Sequence, residues 1–161
     1  MSQKIRPNLW FDTEAEEAAE FYCSIFKNSK ITGKTHYPEN APREAGMVMT
    51  VEWELEGQRF VGINGGPEFK FDEAVSFAIG CEDQEEVDYY WEKLTDGGEE
   101  SVCGWLKDRY GVSWQVVPSR LTELITESDA ETSQRVMAAM LQMRKIDIAA
   151  LEEAAADGAR A

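Results

Sequence analysis

Pro7-Asn8-Leu9-Trp10-Phe11-Asp12-Thr13-Glu14-Ala15-Glu16-Glu17-Ala18-Ala19-Glu20-Phe21-Tyr22 passes from a short apolar strand into an amphipathic helix within a few residues. Ala15, Ala18, Ala19, Tyr22, Ile25 and Phe26 recur at helical spacing, and Thr13 with Glu16 three positions on has the form of a capping box. These features predict a helix over about residues 14–27, preceded by a strand over 5–11. A second stretch follows the same plan. Ala74 to Cys81 reads as a strand, Asp83 with Glu86 marks a helix start, and Val87, Tyr90, Trp91 and Leu94 share one helical face. Gly97-Gly98 ends that helix, because glycine takes the left-handed cap conformation without steric cost. At an offset of 69, Ala18 falls on Val87, Phe21 on Tyr90, Tyr22 on Trp91 and Ile25 on Leu94. The same offset carries Leu9 onto Ala78 and Pro7 onto Ser76, a weak internal repeat of strand then helix.

Each helix is followed by more strands. Met47 to Glu54 alternates, with Met47, Met49, Val51 and Trp53 on one face; Glu56-Gly57 then turns the chain into a strand from Gln58 to Asn64. In the second half, Glu99–Leu106 and Val112–Val117 read as strands joined by the turn Asp108-Arg109-Tyr110-Gly111, with a surface ion pair expected at Asp108 and Arg109. The class is α+β: one domain over residues 1–161, with similar modules near 4–66 and 73–118 and an antiparallel-rich sheet. A helical extension over about 120–156 differs in kind. Val136, Met137, Met140, Leu141 and Met143 form an amphipathic stretch, and Asp147 caps a short helix ending in Ala154-Ala155-Ala156.

Composition narrows the partners. Sixteen Lys and Arg against 31 Asp and Glu give a net charge of −15, which repels nucleic-acid phosphates and anionic membrane surfaces. The start of the chain has no apolar run after its positive charges, and no stretch approaches the ~20 apolar residues of a spanning helix, so a cytoplasmic location is expected. Cys23, Cys81 and Cys103 are odd in number and too far apart for a CxxC motif, and are read as reduced thiols. The single histidine, His36, is read as a solvated loop or edge-strand residue.

Pro7-Asn8-Leu9-Trp10-Phe11-Asp12 with Ala18-Ala19-Glu20-Phe21-Tyr22 resembles the glyoxalase and bleomycin-resistance proteins, the vicinal oxygen chelate superfamily. Asn64-Gly65-Gly66-Pro67, Phe69-Lys70-Phe71, Cys103-Gly104-Trp105-Leu106-Lys107-Asp108 and Gly111-Val112-Ser113-Trp114-Gln115 make it similar to the PhnB-like branch, the 3-demethylubiquinone-9 3-methyltransferase domain. The resemblance spans roughly residues 3–155. It implies two βαβββ modules forming a curved mixed sheet around a cavity, in a homodimer. Enzymes of the superfamily hold a divalent metal with His, Gln or Glu from the first and last strands of each module. Those four places fall here at Pro7, near Gly62, at Ser76 and at Gln115, of which Gln115 alone offers a credible ligand. No metal is therefore expected. For S-adenosylmethionine, the other cofactor considered, Gly65-Gly66-Pro67 is not followed by a helix start, so the Gly-rich cofactor turn is not expected either.

Strand alternation, taken with the implied cavity, assigns its lining. Phe77, Ile79 and Cys81 are expected under the helix, leaving Ser76, Ala78 and Gly80 toward the cavity; Trp114 and Val116 pack while Ser113, Gln115 and Val117 turn inward. In the strand before Gly65, Val61 and Ile63 are expected to pack and Phe60, Gly62 and Asn64 to face inward. Trp53 and Trp105 are placed at the mouth. Apolar walls with a few neutral polar groups suit a small organic ligand. The expected function is thus small-molecule binding without metal. The alternatives are a methyltransferase, as the family label suggests, or a divalent-metal-dependent lyase, isomerase or dioxygenase.

Overall fold

A computed structural model describes residues 3–157. The described residues divide into two compact units, one running to Phe71 and one starting at Asp72. In the first, β1 (Asn8–Phe11) leads into α1 (Ala15–Ile25), followed by β2 (Ser29–His36), β3 (Val48–Leu55) and β4 (Gln58–Asn64). The sheet order is β1-β4-β3-β2, with β1 parallel to β4 and the other pairs antiparallel. In the second unit β5 (Ser76–Cys81), α2 (Gln84–Thr95), β6 (Glu99–Glu100), β7 (Trp105–Lys107) and β8 (Ser113–Pro118) repeat that order, giving β5-β8-β7-β6 with β5 parallel to β8. The α+β class and the two βαβββ modules are as the sequence implies, each module having its own four-stranded mixed sheet.

The helices lie one on each sheet. Ala15, Ala18, Ala19, Tyr22 and Ile25 are buried on α1, and Val87, Tyr90, Trp91 and Leu94 on α2. These are the residues that the 3.6-residue period picks out. The two helices are capped differently. Asp83 accepts from the Glu86 amide at the start of α2, as expected, and the Glu86 carboxylate reaches back to the Glu82 amide, one residue before the cap. At α1 the expected Thr13–Glu16 box is absent. Glu14 occupies the cap position without a side-chain cap bond, and the Ala15 amide donates instead to Asn64 Oδ1, 49 residues away. A distant side chain satisfies the orphan donor, which no local pattern reveals.

Two further expectations are corrected. The single strand read over Glu99–Leu106 is broken into β6 and β7 because Cys103 (φ 59°) and Gly104 (φ 83°) both take left-handed backbone conformations that no strand accommodates. Asp108 is not a surface ion-pair residue. It is buried, accepts from the amides of Tyr110 and Val112, and takes the Trp114 indole N–H at 2.9 Å; Arg109 pairs with Asp96 instead. His36 ends the edge strand β2 and is exposed.

Beyond β8 come α3 (Ser119–Thr126), α4 (Ala130–Met140) and α5 (Ile148–Ala156). Leu121, Leu124, Val136, Ile146 and Leu151 form a separate buried cluster, with Met140 and Met143 packed against it. Met137 and Leu141, from the same amphipathic stretch, are exposed. Asp147 caps α5 through the Ala150 amide, as its position before the alanine run predicts.

Candidate functional site

Each sheet has a face covered by its helix and a face without one, and the register decides which side chains lie where. In the first module Trp53 stands directly opposite Phe60, and the rings stack at 5.7 Å; Tyr22 of α1 stacks on Trp53 from above at 6.0 Å. Gly62 lies on the same side, since a Cβ there would fall 2.9 Å from the Trp53 ring and 3.1 Å from Ala15 Cβ. Trp53, Phe60, Gly62 and Asn64 therefore face the helix. Trp53 is 1% exposed and Asn64 2%. This reverses the expected alternation, which put Phe60 and Asn64 inward toward a cavity and Trp53 at its mouth. Asn64 is fully engaged in structure: its Oδ1 caps α1, and its Nδ2 donates to Val48 C=O at 3.0 Å.

The reversal has a definite origin. The helices repeat at an offset of 69, Ala15 matching Gln84, but the strands end at Phe11 and Cys81, an offset of 70. The β5–α2 connection is one residue shorter than the β1–α1 connection. Since side chains alternate, carrying the helix offset into the strand moves every residue to the opposite face. With the strand offset, Ser76 corresponds to Arg6 rather than Pro7. In the paired strands, Asn8 opposes Val61 as Ala78 opposes Gln115, so Gln115 corresponds to Val61 rather than Gly62.

On this register the four places where the resemblance implies a metal fall at Arg6, Val61, Ser76 and Gln115. Arg6 contacts Glu52 at 2.6 Å, Val61 is apolar, and Gln115 Nε2 donates to Ser76 Oγ at 2.9 Å. A guanidinium repels a cation and cannot lose its proton to become a ligand, and two neutral groups already bonded to each other make a poor chelate. Among the described residues no three His, Cys, Asp or Glu side chains gather. This donor set does not fit a divalent ion.

In the second module the expected faces are, with one exception, the observed ones. Half-buried Phe77 meets buried Trp114 at 5.4 Å, and Ile79, Cys81 and Val116 are buried on the same face. The helix-free face presents Ser76, Ala78, Gly80, Ser113 and Gln115; Val117, expected with them, packs instead against the helical cluster of Leu121, Leu124, Val136, Ile146 and Leu151. Ala78 and Gly80 are exposed, and a Cβ built on Gly80 meets nothing within 4 Å. Trp105 of β7 opposes Gln115, and Lys107 opposes Ser113, so both join this face. Lys107 pairs with Glu73; the contact holds the Glu73 carboxyl below its usual range and raises the Lys107 ammonium. Ser113 is 1% exposed, and its hydroxyl has no hydrogen-bond partner.

On the helix-free face of the first sheet the alternation brings forward residues that the sequence reading passed over: Asn8, Trp10, Val61 and Ile63. Trp10 is fixed in orientation. Its indole N–H donates to Gly66 C=O at 2.9 Å, its ring meets Phe69 edge-on at 5.0 Å, and it lies so close to Gly65 that a Cβ there would sit 2.3 Å from the ring. Phe69 is 65% exposed. The signal was present in the glycine pair beside an aromatic-rich run, but only a contact across 56 residues gives it meaning. Residues 65–75 contain no helix, so Gly65-Gly66 does not open a strand–glycine–helix cofactor turn.

The cysteines are unpaired. Burial, with Glu86 and Asp83 adding to it, pushes the Cys81 thiol up to about 12, and burial also raises Cys23. Neither is a ready nucleophile.

Comparison with known proteins places this geometry. The family model for 3-demethylubiquinone-9 3-methyltransferase matches residues 3–117. The PhnB protein from Bacillus cereus is 38% identical over 72% of this chain and 99% of its own, with a TM-score of 0.66. A Pseudomonas aeruginosa protein shares the fold at 18% identity, covering 73% and 98% of the two chains, with a TM-score of 0.60. A variant of the fosfomycin resistance protein FosX from Listeria monocytogenes, solved with Mn(II) and a dihydroxypropylphosphonic acid, does so at 15% identity, 73% and 92% coverage and a TM-score of 0.55. No curated protein sequence gives a significant match. With its two βαβββ modules and a family match over most of its length, the chain belongs to the 3-demethylubiquinone-9 3-methyltransferase family.

Proposed function

We propose that this protein binds a small organic molecule on the helix-free face of its second module and does so without a tightly held divalent ion. The observation that carries the reading is the floor of Ser76, Ala78, Gly80 and Gln115. Small exposed residues there leave room beside Trp105, and the Gln115–Ser76 pair keeps an amide oxygen and a hydroxyl proton for a ligand. The buried Ser113 hydroxyl adds a second group with unused capacity. Arg6, Val61, Ser76 and Gln115 offer no donor set for a divalent ion such as the Mn(II) held in the Listeria FosX structure. Three free thiols support a reducing, cytoplasmic setting. A homodimer, as the family resemblance implies, is part of the proposal.

Native mass spectrometry of protein purified from cells without chelator tests this directly. A retained organic mass, lost in Gln115→Leu and in Trp105→Ala, supports it. One equivalent of manganese, nickel or zinc per chain surviving dialysis overturns the metal-free part, and an unchanged retained mass in both variants overturns the site. The family's name favours a second reading, methyl transfer to a ring substrate. Calorimetric titration with S-adenosylmethionine separates the two: heat at millimolar cofactor supports methyl transfer, and none removes it.

A further inference from the structure

The extension beyond residue 117 lies outside the family match, yet it is fastened to the candidate ligand face. Residues 143–148, from the link after α4 to the first residue of α5, run as a strap across the turn before β7. The Cys103 amide donates to Met143 C=O and the Gly104 amide to Arg144 C=O, each at 2.8 Å. Ile146 is fully buried and packs so tightly on the turn that a Cβ at Gly104 would lie 3.1 Å from its Cγ1. Gln84 ties the strap to α2, donating to Ile146 C=O at 3.0 Å and accepting from the Ile148 amide at 2.8 Å, and Lys145 contacts Asp88 at 2.8 Å.

The turn needs such fastening. Cys103 and Gly104 both have positive φ, a conformation that costs an L-residue free energy unless its surroundings over-determine it. Two amide donors satisfied by the strap, and the Gly104 carbonyl satisfied by the Val116 amide at 2.8 Å, provide that determination. The next residue is Trp105, which stands opposite Gln115 on the helix-free face. We infer that the strap is a positioning element: residues 143–148 hold Trp105 against the Gln115–Ser76 pair, so ligand retention depends on a segment outside the part matched by the family. This rests on the function proposed above.

The test uses the full chain in variants carrying Cys23→Ser, leaving Cys103 as the accessible thiol beside the buried Cys81. Ile146→Ala and Gln84→Ala loosen the strap, while Val136→Ala weakens the same helical cluster away from it. The Trp105 indole N–H resonance, assigned with Trp105→Phe, reports position, and labelling of Cys103 by a disulfide reagent reports opening of the turn. The strap variants are expected to shift the resonance and speed labelling about tenfold, with Val136→Ala doing neither at a comparable loss of melting temperature. Cys103→Gly, which removes the backbone strain, should return the resonance in the Ile146→Ala background. An unmoved resonance and unchanged labelling in both strap variants overturn the inference, as does an equal response in Val136→Ala. The spectra need no ligand, so the two readings fail separately. A wild-type protein that retains no organic mass sinks the proposed function, whereas retained mass that survives the strap variants despite a moved Trp105 sinks the dependence claimed here.

Discussion

Beneath α1, Trp53 lies stacked between Tyr22 and Phe60, and the space it needs is opened by Gly62; beneath α2, Phe77 and Trp114 meet at an angle and the indole is anchored to the buried Asp108 carboxylate. One element order thus tolerates two ways of filling the same layer. The first module puts its bulk in one aromatic column and gives up a side chain at Gly62. The second spreads the bulk over two strands and spends a carboxylate on the turn. The difference reaches the helix-free faces. The first carries the Arg6–Glu52 pair, apolar residues and an oriented Trp10, while the second sets a floor of small and neutral polar groups beside Trp105 and the Lys107–Glu73 pair.

Substitutions that treat the modules alike should expose this difference. The largest effect is expected for Trp53→Ala, which removes the centre of the aromatic column and should cost about 3–5 kcal/mol of unfolding free energy, against under about 1 kcal/mol for Trp105→Ala. Denaturant titration checks it, and near-equal losses would break the comparison. Gly62→Ala should destabilise by about 1–3 kcal/mol because the new methyl meets the Trp53 ring, whereas Gly80→Ala, with open space, should change stability by less than about 1 kcal/mol. Asn64→Ala removes the long-range cap of α1 and should cost about 1–2 kcal/mol, similar to Asp83→Ala at the locally capped α2. Gln115→Leu should lower the melting temperature by no more than about 1 kcal/mol's worth while abolishing ligand retention; a larger loss would make the Ser76 contact structural.

The smallest effect is electrostatic. The Lys145 ammonium and the Gln84 amide hold the Asp88 carboxyl below its ordinary value of 3.8. A depressed folded-state pKa contributes stability that is complete above the unfolded value and is lost as pH falls through the folded one. Acidification below about pH 4 should therefore remove about a few tenths of a kcal/mol that Asp88→Asn lacks at every pH, measured as the difference between their melting curves.

The helices were legible in the sequence because their signals are local: a 3.6-residue apolar period and, for α2, a capping pair four residues wide. The edge strand β2, half-exposed and without a strong alternation, gave no comparable signal beyond the extended segment at His36. Most of the candidate face of the second module is legible for the same local reason, since Phe77, Ile79 and Cys81 are the large apolar set of β5; Val117 is the exception, because its partners lie in the helical extension. The first module is ambiguous in sequence because Phe60, Val61 and Ile63 are all apolar, so alternation alone does not say which side packs, and the repeat offset that holds for the helices is one residue off for the strands. Trp10 was passed over because its partners, Gly66 and Phe69, lie far along the chain.

By itself the sequence determined the duplicated strand–helix plan, the two module helices and the scarcity of metal ligands, all of which follow from residue chemistry and short-range periodicity. Tertiary structure decided which strand face meets which helix, that Asn64 serves α1, and that residues 143–148 grip the turn before Trp105. Those outcomes depend on register and on contacts between residues tens of positions apart, where a shift of one residue exchanges inside for outside.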